Sequence, residues 1–223
     1  QEHIYTTDEP GNVTAYYRTK YLLTVSSEHD DPKPESGWFN DGTPITANVT
    51  SPADQSGGTR WRCTGWTGTG SVPPSGGDTI VDFIIREPSN ITWNWIPEYR
   101  VTFDQSGLNS TAIGKVVSID NEAKNYTALP FFKWVNSGNK VYYGYEPIVA
   151  SSVVGKQFRL DSVTGPISPI TVTGVTTVIG NYVTQFQVTF NQTGLDADAS
   201  DIDPVVTANG TASTMSQLPY QPW

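Results

Sequence analysis

The sequence predicts an all-β protein made of tandem sandwich-like or barrel-like β-repeats. Three features predict it: apolar residues that alternate with polar ones at a period of two, Gly/Pro punctuation at short intervals, and a strand-rich phrase that recurs three times.

Composition sets the frame. Of 223 residues, 20 are Gly and 16 are Pro, and only 16% are charged. Helices draw on Ala, Leu, Glu and Lys, whereas this material suits β-branched and aromatic strands joined by tight turns. Eleven Tyr, eight Phe and seven Trp supply core bulk, which argues against disorder. The formal net charge of −9 argues against a phosphate-binding surface, so no nucleic acid partner is expected. No stretch approaches the ~20 apolar residues that a membrane-spanning helix needs.

The recurring phrase runs over 12–25 (NVTAYYRTKYLLTV), 90–103 (NITWNWIPEYRVTF) and 177–190 (TVIGNYVTQFQVTF). The copies align without gaps. Each reads as a strand that closes one repeat and a strand that opens the next. Val13/Ala15/Tyr17, Ile91/Trp93/Trp95 and Val178/Gly180/Tyr182 alternate in the closing halves. Tyr21/Leu23/Val25, Tyr99/Val101/Phe103 and Phe186/Val188/Phe190 do so in the opening halves. A second phrase supports the layout: 101–108 (VTFDQSGL) matches 188–195 (VTFNQTGL), and 129–134 (LPFFKW) matches 218–223 (LPYQPW). Trp38, Trp134 and Trp223 then share one place.

Four segments follow. Residues 20–97 and 98–184 form β-repeat domains 1 and 2. Residues 185–223 are an incomplete third repeat, and 1–19 are an N-terminal segment with closing strands only, His3–Thr7 and Val13–Arg18. The expectation is strand exchange: the 1–19 segment of one copy completes the 185–223 half-repeat of the next. Its interface takes Ile4, Val13, Ala15 and Tyr17 from the donor, with Tyr16 beside them, and Phe186, Val188 and Phe190 from the acceptor. About six ladder hydrogen bonds at about 0.5–1.5 kcal/mol each, with two or three buried side chains at about 1.5–3 kcal/mol each, exceed the cost of ordering the tail. Such a contact is head-to-tail and grows an open filament unless its rotation closes a ring. Two other arrangements satisfy the same pattern: the tail folding back on its own chain, and a piece cut from a longer repeat protein.

The segments YLLTV, GWFNDGTPITA, CTGWTG and NITWNW of 20–97 resemble the divergent B-repeat modules of bacterial and archaeal surface proteins. VTFDQSGL and SVTGPISPITV of 98–223 are similar to tandem β-repeats of secreted archaeal surface proteins. The whole also resembles an extracellular filament subunit assembled by donor-strand complementation. The resemblance implies a surface-architecture or adhesive protein, not an enzyme. The incomplete third repeat is the departure from that pattern.

Seven Asn-X-Thr sequons stand at Asn12, Asn48, Asn90, Asn109, Asn125, Asn191 and Asn209. Thirteen Asn with about a fifth Ser plus Thr would give roughly two or three by chance. The excess predicts export, N-linked glycans and an extracellular location. Gln1 fits a terminus left by leader removal.

Motifs for chemistry are sparse. No nucleophile elbow, zinc-binding HExxH or P-loop occurs, and no cofactor is expected. Asp196, Asp198, Asp201 and Asp203 offer hard oxygens to Ca²⁺, yet without the Gly and distal Glu of a calcium-binding loop they read first as a plain acidic loop. Glu28-His29-Asp30-Asp31 reads as a solvated loop. Cys63, the single cysteine, reads as a buried small hydrophobe. Trp61, Trp66, Trp93 and Trp95 read as core first and as a sugar-stacking platform second. That platform carries the rival expectation of a monomeric adhesive or carbohydrate-binding module.

Overall fold

The computed structural model describes residues 11, 12, 14, 16–196, 199 and 203–223. Strand accounts for 55% of the described residues, so the all-β expectation holds. Among the described residues there is no α-helix, only two single 3-10 turns, Tyr126–Ala128 and Met215–Gln217. The chain forms two compact units, Gln1–Pro97 and Glu98–Trp223.

The first unit holds β1 (Lys20–Ser26), β2 (Gly37–Asn40), β3 (Pro44–Asn48), β4 (Ala53–Ser56), β5 (Thr59–Thr69), β6 (Ser75–Gly76), β7 (Ile80–Ile84) and the first part of β8 (Ser89–Ser106). β1 lies between β2, antiparallel, and β8, parallel. β5 joins β8 and carries β4 and β6, while β3 pairs with β7. Alternation turns Leu23, Ile45, Ala47, Trp66, Val81, Phe83, Ile91 and Trp93 into one core. Removing each large side chain from water contributes about 1.5–3 kcal/mol, which is what holds so polar a chain together.

The second unit holds the rest of β8, then β9 (Ala112–Ile113), β10 (Lys115–Ile119), β11 (Glu122–Asn125), β12 (Phe131–Asn136), β13 (Lys140–Val141), β14 (Tyr143–Tyr145), β15 (Ile148–Ser151), β16 (Lys156–Thr164), β17 (Ile170–Thr171), β18 (Thr176–Phe186), β19 (Val206–Ala208) and β20 (Thr211–Ser213). Its main sheet runs β12-β8-β18-β16-β15-β9. β18 is parallel to β8 and antiparallel to β16. Val101, Phe103, Phe158, Val178 and Tyr182 sit at the core with Val116, Val117 and Val149. The Tyr182 hydroxyl donates to the Glu146 carbonyl at 2.9 Å, with the Val116 carbonyl at 3.3 Å. The Tyr145 hydroxyl donates to the Asp104 carbonyl at 2.6 Å. Burial pushes both phenols well above the usual tyrosine range. Gly180 faces inward because the Tyr145 ring stands where its side chain would go; a Cβ would lie 2.5 Å from that ring.

Two local expectations are corrected. The sequence suggested two strands meeting at a junction near Pro97, but β8 runs through as one strand of 18 residues. The apolar positions on both sides of Pro97 have sheet partners, so nothing forces a break. The expected strand over 186–190 is reduced as well. β18 ends at Phe186, and beyond it lies only an isolated bridge, Phe190↔Tyr220.

Candidate assembly surface

The parallel pairs define the surface. Leu23 aligns with Ser89 and Val25 with Ile91 where β1 meets β8. Val101 aligns with Thr176 and Phe103 with Val178 where β8 meets β18. Leu23 and Val101 are 78 residues apart, and Ser89 and Thr176 are 87 apart, the same intervals that separate the three sequence phrases. The antiparallel partners agree: Leu22 faces Trp38 and Arg100 faces Trp134.

The described residues of 187–223 repeat several contacts found in 100–134. Phe103 faces Phe131, and Phe190 faces Tyr220. The Val188 N–H donates to the Pro222 carbonyl at 3.2 Å. The side-chain carbonyl of Gln105 accepts from the Leu108 N–H at 2.9 Å, and that of Gln192 from the Leu195 N–H at 3.0 Å. The β10–β11 hairpin and the turn at Tyr126–Ala128 have counterparts in β19–β20 and Met215–Gln217. The prolyl bonds before Pro130 and Pro219 are both cis.

Exposure is where the two segments part. Val101 is 0% exposed and Val188 is 51%. Leu108 is 8% exposed and Leu195 is 43%. Phe103 is fully buried, whereas Phe190 is only partly covered. The cause lies in β18, which covers β8 on one side; among the described residues no strand stands in that place beside 188–192. Phe186, at the end of β18, is exposed too. The result is a strand-like edge, paired with 220–222 on one side and flanked by no other strand among the described residues, with an exposed apolar face.

The N-terminal segment is described only in part. Ile4, Val13 and Ala15 lie outside the described residues. Gly11, Asn12, Thr14 and Tyr16–Thr19 belong to no strand, and Tyr16 and Tyr17 are almost fully exposed. Tyr17 stands at the interval occupied by half-buried Trp95 in the first unit and by buried Tyr182 in the second.

Comparison with family models, with curated proteins and with solved structures returned no match.

The other sequence candidates fall as follows. Asp196 and Asp203 are described and Asp198 and Asp201 are not; among the described residues no three acidic, imidazole or thiol groups come together for a metal. Trp66 and Trp93 are core residues in edge-to-face contact at 5.8 Å, so the four tryptophans form no open platform. Cys63 is buried, and burial pushes its thiol up. Asn48 is half-buried, and the other six sequon asparagines are exposed. The Asn109 side-chain carbonyl accepts from the Thr111 hydroxyl at 2.7 Å, and that of Asn125 from the Thr127 hydroxyl at 3.0 Å. Among the described residues no helix is long and apolar enough to cross a membrane.

The segment 28–31 is a loop with Glu28 and Asp31 exposed, as expected, but the His29 ring is not solvated: it stacks on Trp61 at 4.0 Å, meets Trp95 edge-on at 5.6 Å, and its Nδ1 lies 2.7 Å from an Asp54 carboxylate oxygen. The only sequence signal was a lone imidazole among tryptophans distant in the chain.

Proposed function

We propose that the protein is a structural subunit of an extracellular, N-glycosylated filament or surface array. Copies join head-to-tail, the N-terminal segment of one inserting beside residues 188–192 of the next. On this reading 20–97 and 98–184 are two tandem repeats, and 185–223 accepts the strand that would complete a third. The protein works by assembling and performs no catalysis.

One observation carries the reading. The same residue types at the same register are buried in one segment and open in the other, with Val101 against Val188 as the sharpest pair. The open edge asks for a parallel strand of the 89–94 or 176–181 kind, and residues 11–16 are the third segment of that kind in the sequence. Strand addition satisfies the backbone groups and the apolar face together. The six exposed sequons support a glycosylated, exported protein.

The test is assembly itself. The full chain is expected to elute as a broad high-mass species and to form filaments in negative stain. A variant lacking residues 1–19 is expected to stay monomeric with an unchanged thermal transition. Added peptide 1–19 is expected to stop growth. Filaments from the truncated chain would refute the reading.

A further inference from the structure

The turn after the opening strand records where the missing strand must lie. Gly107 has φ +88°, and a Cβ there would stand 1.9 Å from the Tyr182 carbonyl oxygen. Only glycine lets β18 pass so close. Gly194 holds the same conformation, φ +90°, yet nothing lies within 4 Å of its Cβ position. The turn around it is already formed, since Gln192 holds Leu195 as Gln105 holds Leu108. In the first unit the counterpart contact is His29 against Trp95. Two turns therefore touch the closing strand at one place, and the third is shaped for that touch and open.

We propose that Tyr17 of a second copy fills this place and fixes the register of assembly; the inference rests on the strand-insertion reading above. Val101 aligns with Thr176, and Tyr182 lies six residues beyond Thr176. The same alignment at the open edge sets Val188 beside Gly11 and Thr189 beside Asn12, and Tyr17 lies six residues beyond Gly11. Its carbonyl then sits over Gly194, as that of Tyr182 sits over Gly107. Its phenol reaches the Val205 carbonyl, the counterpart of the Val116 carbonyl beside Tyr182. Tyr17 is the right chemistry for the place, an aromatic body with a hydroxyl that needs a partner when buried. A slip of one residue would turn Tyr16 or Arg18 toward the apolar face and move every other side chain to the wrong side.

The experiment uses the full chain with paired cysteines. Register partners in a parallel ladder bring Cα atoms within the range a disulfide spans. Asn12→Cys with Thr189→Cys is expected to give a ladder of covalent oligomers on a non-reducing gel, and Asn12→Cys with Val188→Cys is not. Buried Cys63 stays out of the ladder, and Asn12→Gln controls for the lost sequon. Tyr17→Ser is expected to raise the critical concentration at least about tenfold, and Tyr17→Phe several-fold, with the thermal transition of the isolated subunit unmoved because Tyr17 is exposed there. Cross-linking at 188 in place of 189, or normal assembly of Tyr17→Ser, overturns the register while leaving strand insertion standing, provided that removal of 1–19 still blocks growth. Assembly without 1–19, or no assembly of the parent chain, overturns both.

Discussion

Val101→Ala and Val188→Ala make the same chemical change at matched positions, and the account predicts opposite consequences. Val101 is fully buried between β12 and β18. Losing two methyl-sized groups there removes about 1.6 kcal/mol of transfer energy, and the cavity brings the cost to about 2–3 kcal/mol. Val188 is half-exposed in the isolated subunit, so its truncation costs no more than about 0.5 kcal/mol of subunit stability. In the assembled state Val188 would be covered as Val101 is, so the same truncation weakens each junction by about 1.4 kcal/mol and raises the critical concentration roughly tenfold. Urea titrations of the monomers give the first pair of numbers, and sedimentation of polymer against concentration gives the second. The reasoning fails if Val188→Ala destabilises the isolated subunit as much as Val101→Ala, or if its critical concentration equals that of the parent chain.

Tyr182→Phe is expected to destabilise the second unit by about 1–2 kcal/mol, because it leaves the part-buried Glu146 carbonyl without its phenol partner. Burial raises the folded pKa of Tyr145 and Tyr182 above the unfolded value, so the stability they contribute is intact below about pH 10 and declines as pH rises further, as the unfolded chain releases protons that the fold retains; urea midpoints across that range test the sign. His29→Ala is expected to cost about 1–2 kcal/mol through its lost stacking on Trp61 and its lost contact with Asp54, and tryptophan fluorescence should report the loosened ring. Native material is expected to carry glycans at the exposed Asn109, Asn125 and Asn209, and intact mass equal to the bare polypeptide would refute this.

What the sequence made legible is what depends on neighbours along the chain. Alternation placed Leu23, Val101, Ile91 and Trp93 inward, and all four are buried. The shared place of Trp38 and Trp134 reappears in the ladder, opposite Leu22 and Arg100. What stayed hidden depends on contacts between distant residues. Gly180 breaks the aromatic series of Trp93 because Tyr145 fills its place. His29 looked solvated because Trp61, Trp95 and Asp54 are brought to it only by folding. The unbroken run of β8 was hidden because Pro97 reads as punctuation, although its neighbours on both sides pair. The contact between Gly107 and the Tyr182 carbonyl joins residues 75 apart in the chain.

Residues 11–17 of a different copy are expected to complete the edge at 188–192. A structure of the assembled polymer at side-chain detail tests it most directly. The account predicts a strand from a neighbouring copy running parallel to 188–192, with Gly11 beside Val188 and Tyr17 over Gly194. A polymer in which that edge stays open, or is covered by residues 11–17 of the same copy, would contradict it.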